Sequence, residues 1–138
     1  MHVWSDGENY RISMVGGIAY CQIYDCPGLS DGRKALLLSE MAASARRMLD
    51  RGLRPLGLVI DLRRASRIEA ESGKLALGAM LARWQKAQLP AGVLVRDEST
   101  QLSSFLQATE ASKVRVFTSL VKAEYWMRAR GHDAWASW

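Results

Sequence analysis

The chain has 138 residues, 49% of them apolar and 24% charged, with a formal net charge of +5. That length and balance fit one domain, 1–138, able to bury about two thirds of the surface its unfolded form exposes, and they exclude wholesale disorder. The two cysteines, Cys21 and Cys26, are too few for a disulfide framework and lack the further ligands that a zinc site requires, so both read as reduced thiols and neither a metal nor a cofactor is expected.

In chain order, Val3 and Trp4 are a lead-in that either extends the first strand or caps the core, and Asp6-Gly7-Glu8-Asn9 is a turn. Tyr10 to Val15 and Ile18 to Tyr24 flank Gly16-Gly17, a pair suited to the positive dihedrals of a tight turn, and so predict an antiparallel hairpin. Cys26-Pro27-Gly28 breaks the second strand. Ser30 or Asp31 then caps a helix running to about Asp50 with Gly52 beyond its end, and Leu38, Met41, Ala42, Ala45, Met48 and Leu49 recur on one face of it.

The stretch Pro55-Leu56-Gly57-Leu58-Val59-Ile60-Asp61-Leu62-Arg63-Arg64-Ala65 organises the rest. Its branched apolar run, left through charged residues, is the pattern of a strand buried on both faces, with Asp61 at its carboxyl end. Ser66-Arg67-Ile68-Glu69 matches a capping box and opens a second helix to about Gln88, with Ala76, Ala79, Met80, Arg83, Trp84 and Ala87 on related turns and Pro90 as its stop. Ala91 to Arg96 is a further buried strand. Leu102, Phe105, Leu106 and Thr109 mark a short third helix, and Val114 to Phe117 the last strand. Thr118 or Ser119 caps a final helix to Gly131, leaving 132–138 as a C-terminal aromatic tail. Strands alternating with helices imply parallel neighbours and a mixed, mostly parallel sheet of about five strands with about four helices.

Catalytic machinery is not visible in this pattern. His2 and His132 lie near opposite termini with no nucleophile or carboxylate motif beside them, and there is no phosphate-binding glycine loop. In open sheets of this kind a ligand or partner binds outside the carboxyl ends of the strands. Asp61 with Arg63, Arg64 and Arg67 would there attract an anion; alternatively Asp61 caps backbone groups while the arginines are solvated or paired with Glu69 and Glu71. Ser66, Ser72 and Ser99 stand near helix starts, where capping or a phosphate are both served by the helix dipole. Cys21 reads as a small core residue. Trp126, Trp135 and Trp138 form either a partner patch or a cover over a sheet edge.

The order of elements resembles the STAS domain, the fold of anti-sigma factor antagonists, and more closely its SpoIIAA-like (STAS/SEC14) branch. The residues that carry the likeness are Leu58 to Ala65 leading into Ile68-Glu69-Ala70-Glu71-Ser72-Gly73, and Val114 to Phe117 followed by Ala123 and Tyr125-Trp126-Met127. Phospho-switched members carry an Asp-Ser-Ser-Gly turn. Here Glu69 stands at the aspartate position and Ala70 at the switch serine, with Ser72 displaced, so the resemblance implies a regulatory domain without that switch.

The expected function is a non-catalytic module that docks a protein through Asp61, Arg63, Arg64, Ser66, Arg67, Glu69, Ala70 and Ser72. The alternative, implied by the SEC14 likeness, is binding of a lipid or apolar small molecule lined by Met41, Met48, Met80 and Trp84, residues that otherwise serve as plain core. A small-anion enzyme using Asp61 and the arginines is the third reading. The basic residues are scattered, with no stripe or recognised module, so nucleic acid is not the expected partner. No apolar run approaches a membrane span and Met1 to Asp6 shows no leader pattern, which sets the expectation of a bacterial-type cytoplasmic protein. A homodimer through a sheet edge or the tryptophan tail is a further expectation.

Overall fold

The computed structural model describes residues 2–65, 71–96 and 114–136. Six strands form one sheet in the order β1-β2-β3-β4-β5-β6, namely β1 (His2–Asp6), β2 (Tyr10–Val15), β3 (Ile18–Tyr24), β4 (Gly57–Arg64), β5 (Ala91–Leu94) and β6 (Arg115–Phe117). The β1–β2 and β2–β3 pairs are antiparallel, and β3 to β6 are parallel. Three helices are described: α1 (Asp31–Asp50), α2 (Glu71–Lys86) and α3 (Leu120–Ala136). The short helix expected around Leu102 to Thr109 lies outside the described residues.

Local chemistry accounts for most boundaries. Gly16 and Gly17 both take positive φ, 57° and 84°, which closes the β2–β3 hairpin with Val15 opposite Ile18. The Ser30 Oγ accepts from the Arg33 amide at 3.1 Å and starts α1. At the other end Gly52 is left-handed at φ 87°, its amide donates to the Leu49 carbonyl at 3.0 Å, and the Leu53 amide donates to that of Met48 at 3.0 Å. This is the Schellman arrangement, which satisfies carbonyls that the helix leaves orphaned.

Four expectations are corrected. The lead-in at Val3 and Trp4 is a strand of its own, with Val3 opposite Ser13, and it brings the sheet to six strands, while Trp4 does pack on the core, its Nε1 donating to the Ser44 carbonyl at 3.1 Å. Helix α2 ends at Lys86, close to the expected Gln88, but its stop is Gln88 and not Pro90. Gln88 adopts φ 60° and repeats the Schellman pattern, with Gln88 donating to Gln85 at 2.9 Å and Leu89 to Trp84 at 3.1 Å. Along α2 the buried line is Leu77, Met80, Leu81 and Trp84, while Ala79 is exposed, because the larger leucines turn to the sheet. Helix α3 does not stop at Gly131 but runs to Ala136, taking in most of the stretch expected as a tail. A lone glycine costs a helix only about 1 kcal/mol and ends it only where the chain turns left-handed.

Strand β4 is central, as its sequence predicts, with parallel partners on both sides and a buried run from Gly57 to Leu62. Alternation splits its side chains between two cores. Leu58, Ile60 and Leu62 enter the larger cluster with α1 and α2, and Val59 enters a smaller one with Ile18, Tyr20, Leu94 and Met127 beneath α3. Glycine lets α3 approach here. A Cβ on Gly57 would stand 2.8 Å from the Met127 Sδ and 2.9 Å from the Pro90 carbonyl oxygen, and one on Gly92 would stand 3.2 Å from the Met127 Cε. Among the described residues no helix is long and apolar enough to cross a membrane.

Candidate functional site

The polar chemistry of the sheet lies on the α3 side of β4. Asp61 and Arg63 follow Val59 at the strand period, so all three point to that face. On the neighbouring strand Tyr20 is opposite Val59 and Gln22 opposite Asp61, which makes Tyr20 a diagonal neighbour of the carboxylate. The Tyr20 hydroxyl donates to Asp61 Oδ2. Arg63 donates from Nη2 to the same oxygen at 3.0 Å, from Nε to Oδ1 at 3.1 Å and from its amide to Oδ1 at 3.0 Å, and its Nη2 also reaches the Tyr20 oxygen at 3.2 Å.

This is a buried anion with a fork-shaped cationic partner. The Asp61 side chain is 5% exposed and that of Arg63 39%, so the carboxylate is inside and the guanidinium reaches the rim. Burial pushes the Asp61 carboxyl up, and the hydrogen bonds from Arg63 and Tyr20 outweigh it, holding the carboxyl below the ordinary aspartate range. Burial, reinforced by the adjacent carboxylate, pushes the Tyr20 phenol up to about 12. The hydrogen bond to Asp61 raises Arg63 further above its ordinary value. Every group therefore holds its charge state throughout the physiological range.

The expectation that Asp61 stands at the carboxyl end of β4 and meets solvent there is corrected. The strand continues to Arg64, and Asp61 is sealed beside Tyr20. Apolar residues at Leu58, Ile60 and Leu62 continue past it on the opposite face, which is why the strand does not end at the first charge. Asp61 is thus linked to the surface through its bonds to Arg63. Arg64 is exposed, and its carbonyl accepts the Asp25 amide at 2.9 Å, which ties the end of β4 to the segment after β3. Ser66, Arg67, Glu69 and Ala70 lie outside the described residues, as does the side chain of Ser72, whose backbone is in the first turn of α2.

The other predicted residues are placed plainly. Met41, Met48, Met80 and Trp84 are fully buried in the contiguous core between the sheet, α1 and α2, as packing residues. The Trp84 Nε1 is buried with no acceptor among the described residues. Cys21 is sealed in the same core, where burial raises its thiol to about 12, and Cys26 is half-buried and free. Sequence reasoning missed Tyr20. Its one signal was a polar tip in the buried stretch Ile18 to Cys21, and the parallel register that brings it to Asp61 is not written in any local turn.

No protein-family model matches the sequence, and no curated protein matches it significantly. A solved structure of Moorella thermoacetica RsbS, in a serine-to-glutamate variant, superposes with a TM-score of 0.64 at 14% identity, covering 88% of this chain and 96% of that one. The chain has a STAS fold of the SpoIIAA-like type. At that identity the likeness concerns architecture, and the STAS arrangement sets β4 in the middle of the sheet with the Arg63–Arg64 rim at its carboxyl end.

Proposed function

We propose that this STAS-fold chain is a non-catalytic regulatory module that docks a protein partner through the rim after β4 and the start of α2. The observation that carries the reading is Arg63, half-exposed and held in one geometry by a buried carboxylate and a buried phenol, beside the exposed Arg64. A fixed guanidinium loses little entropy when it meets a partner's carboxylate, whereas a free one loses much of its rotamer freedom. Asp61 is fully engaged by its own neighbours, which favours a positioning part for it over one in acid–base chemistry on a substrate.

In this reading Ser66, Arg67, Glu69, Ala70 and Ser72 extend the docking surface, and Ala70 at the position of the family's switch serine leaves docking constitutive. The test is co-purification from the source organism followed by affinity measurement with the captured partner. Arg64→Glu is expected to weaken binding at least about tenfold with little change in stability, as an exposed substitution usually shifts stability by no more than about 0.5 kcal/mol. Undiminished binding by Arg64→Glu together with Glu69→Arg would remove the rim from the interface. Phosphate found by mass spectrometry on Ser66 or Ser72 of the protein from its host would overturn the constitutive part.

A further inference from the structure

Two strands across from β4, where Phe117 is in register with Leu94 and Leu94 with Asp61, α3 and β6 assemble a second feature that the rim after β4 does not use. The Cζ of Arg115 is 5.7 Å from the centroid of the Trp126 ring and 5.6 Å from that of Phe117, and the Cζ of Arg130 is 5.2 Å from Trp126. Phe117 and Trp126 are themselves in tilted contact, with centroids 5.5 Å apart at 52°. Two guanidiniums are thus gathered around one indole. Among the described residues neither has a hydrogen bond or ion pair, and the contacts that hold them there are with the aromatic faces.

Helical spacing extends the feature. Lys122, Trp126 and Arg130 follow one another at four-residue steps along one flank of α3, and Lys122, Arg115 and Arg130 are all exposed. On the solvent side of the same helix Val121 is 75% and Tyr125 78% exposed, one turn apart. Among the described residues β6 is the last strand of the sheet, and the cluster stands beside it.

We infer that this flank is a docking site for an acidic protein segment, in which carboxylates bridge Arg115 and Arg130 across Trp126 while apolar side chains cover Val121 and Tyr125. Charge complementarity selects the carboxylates, because two guanidiniums stacked on one ring, and unpaired among the described residues, present their planar donors to such groups in pairs. The neighbouring apolar residues favour a protein segment over nucleic acid. A nucleic acid would call for cations spread along a phosphate track, and these converge on a single ring.

The experiment titrates the full chain with a short fluorescent peptide of alternating glutamate and leucine, its glutamine analogue, a single-stranded oligodeoxynucleotide and phosphatidylglycerol vesicles. The acidic peptide is expected to bind about tenfold or more tightly than the glutamine analogue and to weaken as salt is raised. Arg115→Gln with Arg130→Gln is expected to lower its affinity about tenfold, and Arg64→Glu to leave it within about twofold, so that this site and the rim after β4 fail or stand separately. In the unmodified protein the Trp126 indole N–H resonance is expected to move on peptide addition, a readout that does not depend on any variant folding. Equal binding of the two peptides, no binding, an unmoved Trp126 resonance, or tighter binding of the oligonucleotide or vesicles overturns the inference.

Discussion

The two faces of the sheet are built from the same strands and follow different rules. On one side α1 and α2 cover Leu58, Ile60, Leu62, Cys21 and Val93 in a wholly apolar layer with Met41, Met48, Met80 and Trp84. On the other, among the described residues, α3 covers the lower part of β4 and β5, and beyond it the same alternation delivers Asp61, Arg63 and the Tyr20 hydroxyl. The apolar face supplies stability, and the α3 side carries a charge network that ends at the surface. Polar chemistry on a central strand is tolerated where an arginine can carry it outward, because the carboxylate is then both paired and hydrogen-bonded.

Perturbing each face separately sharpens that contrast. The largest effect is expected from Met48→Ala on the apolar side, which removes a fully buried side chain and should cost about 3 kcal/mol in denaturant unfolding, with binding at the rim unchanged in the fraction that folds. Asp61→Asn on the polar side should cost about 2 kcal/mol, less than a fully buried pair because Arg63 is 39% exposed and recovers part of its hydration. Unlike Met48→Ala, it should also weaken partner binding, since Arg63 loses its anchor. Equal binding losses in the two variants would erase the distinction between the faces.

The phenol gives a pH signature. Unfolded tyrosine titrates near about 10, whereas burial and the Asp61 charge push Tyr20 up to about 12. Between those values the unfolded chain has released a proton that the folded chain retains, so stability should be fully present below about pH 10 and fall as pH rises towards 12. Tyr20→Phe should flatten that part of the stability profile and cost about 1.5 kcal/mol at neutral pH through the lost bond to a charged group. The smallest effect is a gain. Gln88→Gly relieves a non-glycine residue at φ 60° and should raise the unfolding midpoint by the equivalent of about 0.5 to 1 kcal/mol.

Much of this fold was legible where the signal is local. The Gly16-Gly17 hairpin, the Ser30 cap, Gly52 past α1, Ser119 at the start of α3 and the apolar run of β4 are all written within a few residues of where they act, and the Ser119 Oγ accepts from the Lys122 amide at 3.4 Å. The site was half legible. Arg63 and Arg64 were found at the rim, but Asp61 was misplaced because a charged residue after three apolar ones looks like an end, while the apolar partner Leu62 on the far face keeps the strand going. Tyr20 was invisible because its contact with Asp61 depends on the parallel register of β3 and β4, fixed through the whole α1 crossover and its packing. The ends of α2 and α3 went astray for a related reason. Gln88 is held left-handed by hydrogen bonds to carbonyls of the preceding turn, and Gly131 is tolerated mid-helix.

The account turns on whether the Asp61 carboxylate is an anion enclosed by the protein and clamped by Tyr20 and Arg63. Carbon-13 NMR titration of its side-chain carboxyl reads this directly. The predicted result is a resonance that stays in its ionised position as pH falls through about 4, the ordinary range for aspartate, with protonation only below it, while stability already begins to fall near that range because the unfolded chain takes up its proton first. A carboxyl that takes up its proton at or above that range in the folded protein would contradict the clamp, and with it the fixed guanidinium at the rim.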